Sequence, residues 1–227
     1  MRKILYFIFL GPFLFECCEM KPADTIEDEK DTCAYTGYYY YENAKNFFGE
    51  LSGDYLLIGI DSAYSDSSIV AFVNSQGIFK AIRDTAVEHY DYYKYKHVLA
   101  QLSVTRSCIE IGGIIRELNR NEIISYTHYT TKWGKCLDDN YFPLNKPCVL
   151  TYSSHFYVDV YPLEKYSLLS YYANLTHTKI VEQNEFMSSW FTLRADKNSS
   201  GDALKMANYF YETGHFRAAE PGFFQAV

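Results

Sequence analysis

The stretch VLTYSSHFYVDVY, Val149 to Tyr161, decides the fold class. Its end, Tyr157-Val158-Asp159-Val160-Tyr161, alternates apolar and polar side chains with period two, as a strand with one buried and one wet face requires. The same β-branched and aromatic richness recurs in Leu51 to Ile60, Ser68 to Asn74, Gly77 to Arg83, Tyr95 to Thr105, Cys108 to Leu118, Ile123 to Trp133, Tyr166 to Leu175 and Ser188 to Arg194. Asp61-Ser62, Asn74 to Gly77, Asn119 to Asn121 and Asn140 separate these runs as turns. A short alternation at Cys108-Ile109-Glu110-Ile111 supports the strand reading there.

One helix is expected, and it comes last. Leu204, Ala207 and Tyr211, with Met206 and Phe210, fall at three- and four-residue spacing over Ala203 to Thr213, and Gly214 ends the pattern. About eight antiparallel strands and one C-terminal helix predict a mainly β chain closed as a barrel.

Beyond the strands, tyrosine is the unusual component: 23 of 227 residues, densest at Tyr35, Tyr38, Tyr39, Tyr40 and Tyr41. A rigid ring with a polar tip loses little rotamer entropy on binding, so such a knot marks a recognition surface. Glu42 follows it, and the acidic run Asp24 to Asp31 precedes it. These tyrosines and Glu42 are the candidate ligand-binding residues, and their acidic surroundings make them candidates for sulfation, which would favour a basic protein partner. Tyr90, Tyr92, Tyr93 and Tyr95 read either as a binding loop or as rings bracing a sheet.

The first residues read as a secretory leader. Arg2 and Lys3 precede an apolar run from Ile4 to Phe15, the length of a signal-peptide core and short of a membrane span. The expected organisation is a leader at 1–19, an acidic, tyrosine-rich segment at 20–46, and a β domain with its helix at 47–227. The net charge of −7 opposes nucleic-acid binding. Asn174 and Asn198 stand in glycosylation sequons.

Four cysteines follow the leader region, Cys33, Cys108, Cys136 and Cys148, an even number for an oxidising compartment. The turn-rich segment between Cys136 and Cys148 favours a bridge there, which leaves Cys33 to pair with Cys108. Their spacing matches no zinc-finger pattern, so no metal and no cofactor are expected. No enzyme motif is present: neither G-x-S-x-G, P-loop, H-E-x-x-H nor G-x-G-x-x-G. The histidines are scattered; His89, flanked by Glu88 and Asp91, reads as a solvated loop residue, and Asp159 as an outer-face residue of its strand.

Phe48-Gly49-Glu50-Leu51-Ser52-Gly53-Asp54-Tyr55, an entry turn into a first strand, and Trp190-Phe191-Thr192-Leu193-Arg194, a last strand before the helix, resemble the lipocalin or calycin family. Tyr55 stands where that family has a tryptophan. The resemblance implies a β-barrel carrying a small apolar or amine ligand, with Phe156, Tyr157 and Tyr171 as lining. The whole profile, including the Cys33 to Tyr41 neighbourhood, is also similar to the secreted chemokine-binding glycoproteins of helminths. That similarity implies a non-enzymatic decoy for a basic chemokine or cytokine.

Overall fold

The computed structural model describes residues 33–90, 95–132 and 149–226; the leader, the acidic run and the Cys136–Cys148 pair lie outside them. Its backbone is organised around two long strands, β3 (Glu50–Asp61) and β7 (Val149–Asp159). A two-stranded hairpin, β1 (Tyr38–Tyr41) and β2 (Ala44–Phe47), precedes them.

Three of the stretches expected as strands are helices: α1 (Asp66–Ser75), α2 (Cys108–Leu118) and α3 (Tyr166–Leu175). Their isoleucines, valines and tyrosines carry β propensity, but burial of one helical face overrides it, aided by side-chain caps on α1 and α2. Ser65 accepts from the Ser68 amide at 3.2 Å, and Ile69 and Val73 are the buried pair of α1. Ser107 and Glu110 form a reciprocal capping box on α2. That box turns the apparent alternation at Cys108 to Ile111 into a first helical turn, with Ile111 buried and Ile109 exposed. In α3 the buried pair is Leu169 and Ala173. Gly77 to Arg83 forms no strand, only an isolated bridge from Phe79 to Leu102.

The remaining elements are β4 (Val87–Tyr90), β5 (Tyr95–Gln101), β6 (Ile124–Lys132), β8 (Lys179–Gln183), β9 (Trp190–Arg194), α4 (Ala203–Glu212) and β10 (Ala218–Ala226). The expected C-terminal helix is α4, capped by Asp202 and followed by Gly214 at φ +70°. Strand order resolves the chain into two like units. In the first, β3-α1-β4-β5-α2-β6 pairs as β4-β5-β3-β6; in the second, β7-α3-β8-β9-α4-β10 pairs as β8-β9-β7-β10. Each is a split β-α-β, ferredoxin-like unit. Two rungs, Thr131 with Leu150 and Lys132 with Val149, join them edge to edge.

The expected mainly β, antiparallel character holds, but an eight-stranded lipocalin-like barrel with one helix is not what the pairing forms. The outer strands β4 and β8 do not pair with each other, so no barrel closes among the described residues. The reason lies in the helices. Those between strands make crossovers to parallel, non-adjacent strands, where an up-and-down barrel needs hairpins.

The helices of each unit cover one face of its sheet. Leu56, Ile58 and Ile60 of β3 meet Ile69, Val73, Ile111 and Leu118; Phe156 and Val158 of β7, with Val160 just after it, meet Leu169, Ala173, Leu204 and Phe210. Strand and first-helix positions of the two units thus correspond 100 residues apart, as Ile69 and Val73 do to Leu169 and Ala173. The hairpin lies on α4: Asn208 Nδ2 donates to the Tyr38 carbonyl at 2.8 Å, and the Tyr40 ring stacks on Tyr211 at 4.3 Å.

Cys33 and Cys108 form the expected disulfide, tying the segment before the hairpin to the start of α2 across 75 residues. Closing a loop of that length restricts the unfolded chain by roughly 4 kcal/mol. The Cys33→Ala, Cys108→Ala double variant is therefore expected to lose several kcal/mol in urea unfolding. A loss under about 1 kcal/mol would show that the bridge does little in the unfolded chain.

Candidate functional site

The faces away from the helices differ between the two units. At the centre of the first stands Gly59, paired with His97 on β5 and Tyr126 on β6. A methyl carbon placed on Gly59 would overlap the Tyr126 ring, so glycine is what lets that ring lie flat across β3. Tyr126 Oη and His97 Nε2 are hydrogen-bonded to each other. His128 donates from Nδ1 to the Tyr152 carbonyl at 2.8 Å and stacks on the Tyr152 ring at 4.4 Å. The Arg194 guanidinium, reaching over from β9, lies 5.6 Å from the Tyr95 ring centre.

His97, His128 and His155 are buried with these tyrosines. Burial, reinforced by the neighbouring His128 and His155, pushes His97 down to about 3. Burial and the Arg194 charge bring His155 to about 4, and burial also lowers His128. All three are neutral at physiological pH, and the first unit's open face is filled by their rings. Among the described residues no three His, Cys, Asp or Glu side chains converge as a metal site.

In the second unit the corresponding centre is Asp159, paired with Trp190 on β9 and Ala218 on β10. An aspartate takes the glycine's place and a methyl group takes that of the Tyr126 ring. The face that a ring fills in the first unit is here a cleft of about 670 Å³. Tyr157, Asp159, Trp190, Ala218 and Glu220 contribute to its wall, and the hairpin brings Tyr40, Tyr41 and Glu42 to it. Glu42 and Asn43 make the two-residue turn between β1 and β2 with φ of 49° and 61°. Positive φ at both positions suits the twist of a two-residue hairpin but disfavours a glutamate, so the turn holds Glu42 in a strained backbone at the cleft.

The cleft is acidic. Glu42, Asp159 and Glu220 face it, with Arg217 the one cation among the described residues of its lining. Asp159 is 2% exposed; its Oδ2 accepts from Arg217 Nε at 2.5 Å, and its Oδ1 has no hydrogen-bond partner. Burial, then the charges of Asp159 and Glu42, raises the Glu220 carboxyl above its ordinary range. Three carboxylates against one guanidinium leave negative potential unbalanced in a pocket walled by rings.

The tyrosine knot divides. Tyr40, Tyr41 and Glu42 line the cleft. Tyr35 and Tyr39 pack against the cores, with Tyr35 Oη donating to the Gly49 carbonyl at 2.8 Å and the Tyr39 ring 4.7 Å from Phe223. Tyr38 donates to Glu212 Oε1 at 3.1 Å and lies under Lys45. Of the rings expected to line a cavity, only Tyr157 does so: Phe156 is buried against Phe210, and Tyr171 is exposed on α3. Asp159 is inside, not on the outer face, because the hairpin and β10 add walls that the strand's own alternation does not reveal. His89 is on β4, exposed, and bonded to Asp66 at 2.9 Å. Asn174 and Asn198 are both exposed. Trp190, Glu220 and Arg217 went unselected from the sequence, since only the pairing of β9 and β10 with β7 brings them together.

Neither a protein-family model nor a characterised sequence matches the chain.

Two outcomes follow from the filled face. Gly59→Ala is expected to cost about 1–3 kcal/mol by urea denaturation, through overlap with Tyr126. That cost should shrink in a Tyr126→Ala background; equal costs in both would refute the overlap. The three histidines govern acid stability. Unfolded, each binds a proton near pH 6.5; folded, His97 and His155 resist it to about 3 and 4. The unfolded state therefore holds more protons in this window, and melting temperature is expected to fall as pH drops from about 6.5 toward 4. A flat profile there would overturn the neutral assignment.

Proposed function

We propose that this is a secreted, non-enzymatic binding protein that captures a basic protein partner, of the chemokine or cytokine kind, through the cleft under the hairpin. The observation that carries the reading is the assembly of Tyr40, Tyr41 and Glu42 with Tyr157, Asp159 and Glu220 around one acidic, aromatic-walled cavity. Tyrosine and tryptophan are the residues that anchor protein interfaces, and carboxylates beside them select a cationic side chain. The cleft lies at the molecule's surface and includes Tyr41, which is 49% exposed, so a partner's side chain has access.

Secretion is supported by the leader-like Arg2 to Phe15 and by the Cys33–Cys108 bridge, which belongs to an oxidising compartment. No helix among the described residues is long and apolar enough to cross a membrane. The exposed Asn174 and Asn198 are accessible as glycan acceptors. Capture of a soluble mediator makes the protein a decoy that modulates an immune response.

Surface plasmon resonance against a panel of basic chemokines and size-matched acidic proteins tests this. Basic members alone are expected to bind, with an on-rate that falls as salt rises. The Tyr40→Ala, Tyr41→Ala, Glu42→Gln triple variant should bind at least tenfold more weakly. No binding by any basic protein, or unchanged kinetics in the triple variant, would overturn the reading.

A further inference from the structure

We propose that the cleft is a receptor for one protonated organic amine, held by Asp159 and Glu220 and flanked by the rings of Tyr157 and Trp190. The inference rests on the reading of this cleft as a cation-binding site and specifies the chemical group that enters it.

The floor of the cleft carries the argument. Asp159 is buried and lines the cleft; Arg217 engages its Oδ2, and its Oδ1, covered by surrounding atoms, has no hydrogen-bond partner. A buried carboxylate oxygen left unpaired is costly, and a donor that fills the cavity removes that cost. An ammonium group held at the more accessible Glu220 meets Oδ1 once the Asp159 side chain turns toward the cleft, with Arg217 still on Oδ2, so the ligand completes the arrangement and does not compete with it.

Ligand classes are separated by what they leave behind. A neutral apolar ligand would cover Asp159 and Glu220 without satisfying either. An anion meets three carboxylates against one arginine. A bare metal ion requires several converging ligands, and no such group exists among the described residues. An organic ammonium offers hydrogen-bond donors for the carboxylates, a charge for the faces of Tyr157 and Trp190, and an apolar body for the remaining volume. About 670 Å³ lies within the range of small-molecule sites.

The first unit is the internal comparison. There Gly59 and Tyr126 stand where the second unit has Asp159 and Ala218, and the Tyr126 ring lies over the glycine. The same scaffold thus occurs once filled and neutral, and once open and acidic. A sheet needing only stability would fill both faces alike; opening one and setting a carboxylate at its centre costs packing and gains a site. The raised Glu220 carboxyl agrees with this, since a bound cation would draw it back toward ionisation.

The source of the amine is a free small molecule or a lysine side chain of a captured protein, and the experiment separates them. Phenethylamine, its neutral analogue 2-phenylethanol and the anion phenylacetate are titrated against the full-length mature protein by isothermal calorimetry. Fluorescence of the Trp133→Phe variant, whose one tryptophan is Trp190, serves as a second readout. Phenethylamine is expected to bind at least tenfold more tightly than 2-phenylethanol, and phenylacetate not at all. Ala218→Tyr, which supplies the missing ring, should abolish binding with the far-ultraviolet circular dichroism unchanged. Should that variant not fold, Glu220→Gln at the rim is expected to weaken phenethylamine at least fivefold.

Equal affinity for the amine and the alcohol, or unchanged binding by Glu220→Gln, would overturn the proposal. Basic proteins that bind while phenethylamine neither binds nor competes with them would refute the amine site and leave protein capture standing. Phenethylamine that binds where no basic protein does would uphold the amine site as one for free amines and refute protein capture.

Discussion

Two ladder rungs hold the molecule's two halves together, and what happens beyond them sets the character of the interior. After Thr131 with Leu150 and Lys132 with Val149, β6 and β7 diverge, and backbone groups at their facing edges lose a neighbouring strand. Buried carbonyls cannot go unpaired, so side chains and other segments continue the ladder. His128 donates to the Tyr152 carbonyl, Thr151 Oγ1 to the Tyr129 carbonyl at 2.9 Å, and the Ala195 amide to the Ser154 carbonyl at 2.8 Å. A histidine serving as a buried donor must stay neutral or carry a charge with little solvent. Burial decides for neutrality, and the same holds for His97 and His155.

The duplicated topology explains how the two halves can carry different second faces. Each unit buries one sheet face under its helices with a nearly equivalent apolar set, so neither needs its second face for a hydrophobic core. The second faces were therefore free to differ. One is packed by Tyr126 on Gly59 with the neutral histidines around it; the other keeps Asp159, Trp190 and Ala218 under a strained hairpin turn. Rigid strands position the carboxylates, and the hairpin, fastened to α4 by Asn208 and Tyr211, brings the aromatic wall.

Legibility in the sequence followed the range of the interaction. Leu51 to Ile60, Ile123 to Trp133 and Val149 to Tyr161 read as strands because β-branched and aromatic residues fill them over many positions, and β3, β6 and β7 fall within these stretches or overlap them. The α4 helix read correctly because its apolar stripe and glycine stop are local. Short windows failed: Ser68 to Asn74 and Tyr166 to Leu175 carry β-type residues, yet their burial repeats every four residues once a sheet lies beneath them. At Cys108 to Ile111 a four-residue alternation mimics a strand, although Ser107 and Glu110 have the spacing of a capping box. The tyrosine density around Tyr40, Tyr41 and Glu42 was legible by composition, whereas Trp190 and Glu220, which line the same cleft, offered no local signal.

By itself the sequence determined the mainly β character and the terminal helix, since each rests on local period or composition; cysteine arithmetic favoured Cys33 with Cys108 among three possible connectivities, and the fold brings that pair together. Tertiary structure alone decided that the strands form two joined split units and not a closed barrel. It also decided that Asp159 faces a cleft and that Tyr126 has no counterpart ring in the second unit. Those outcomes depend on which residues stand opposite one another across strands: Gly59 beside Tyr126, Asp159 beside Ala218. A strand's own alternation says which side chains share a face; only its partners say whether that face is filled or open.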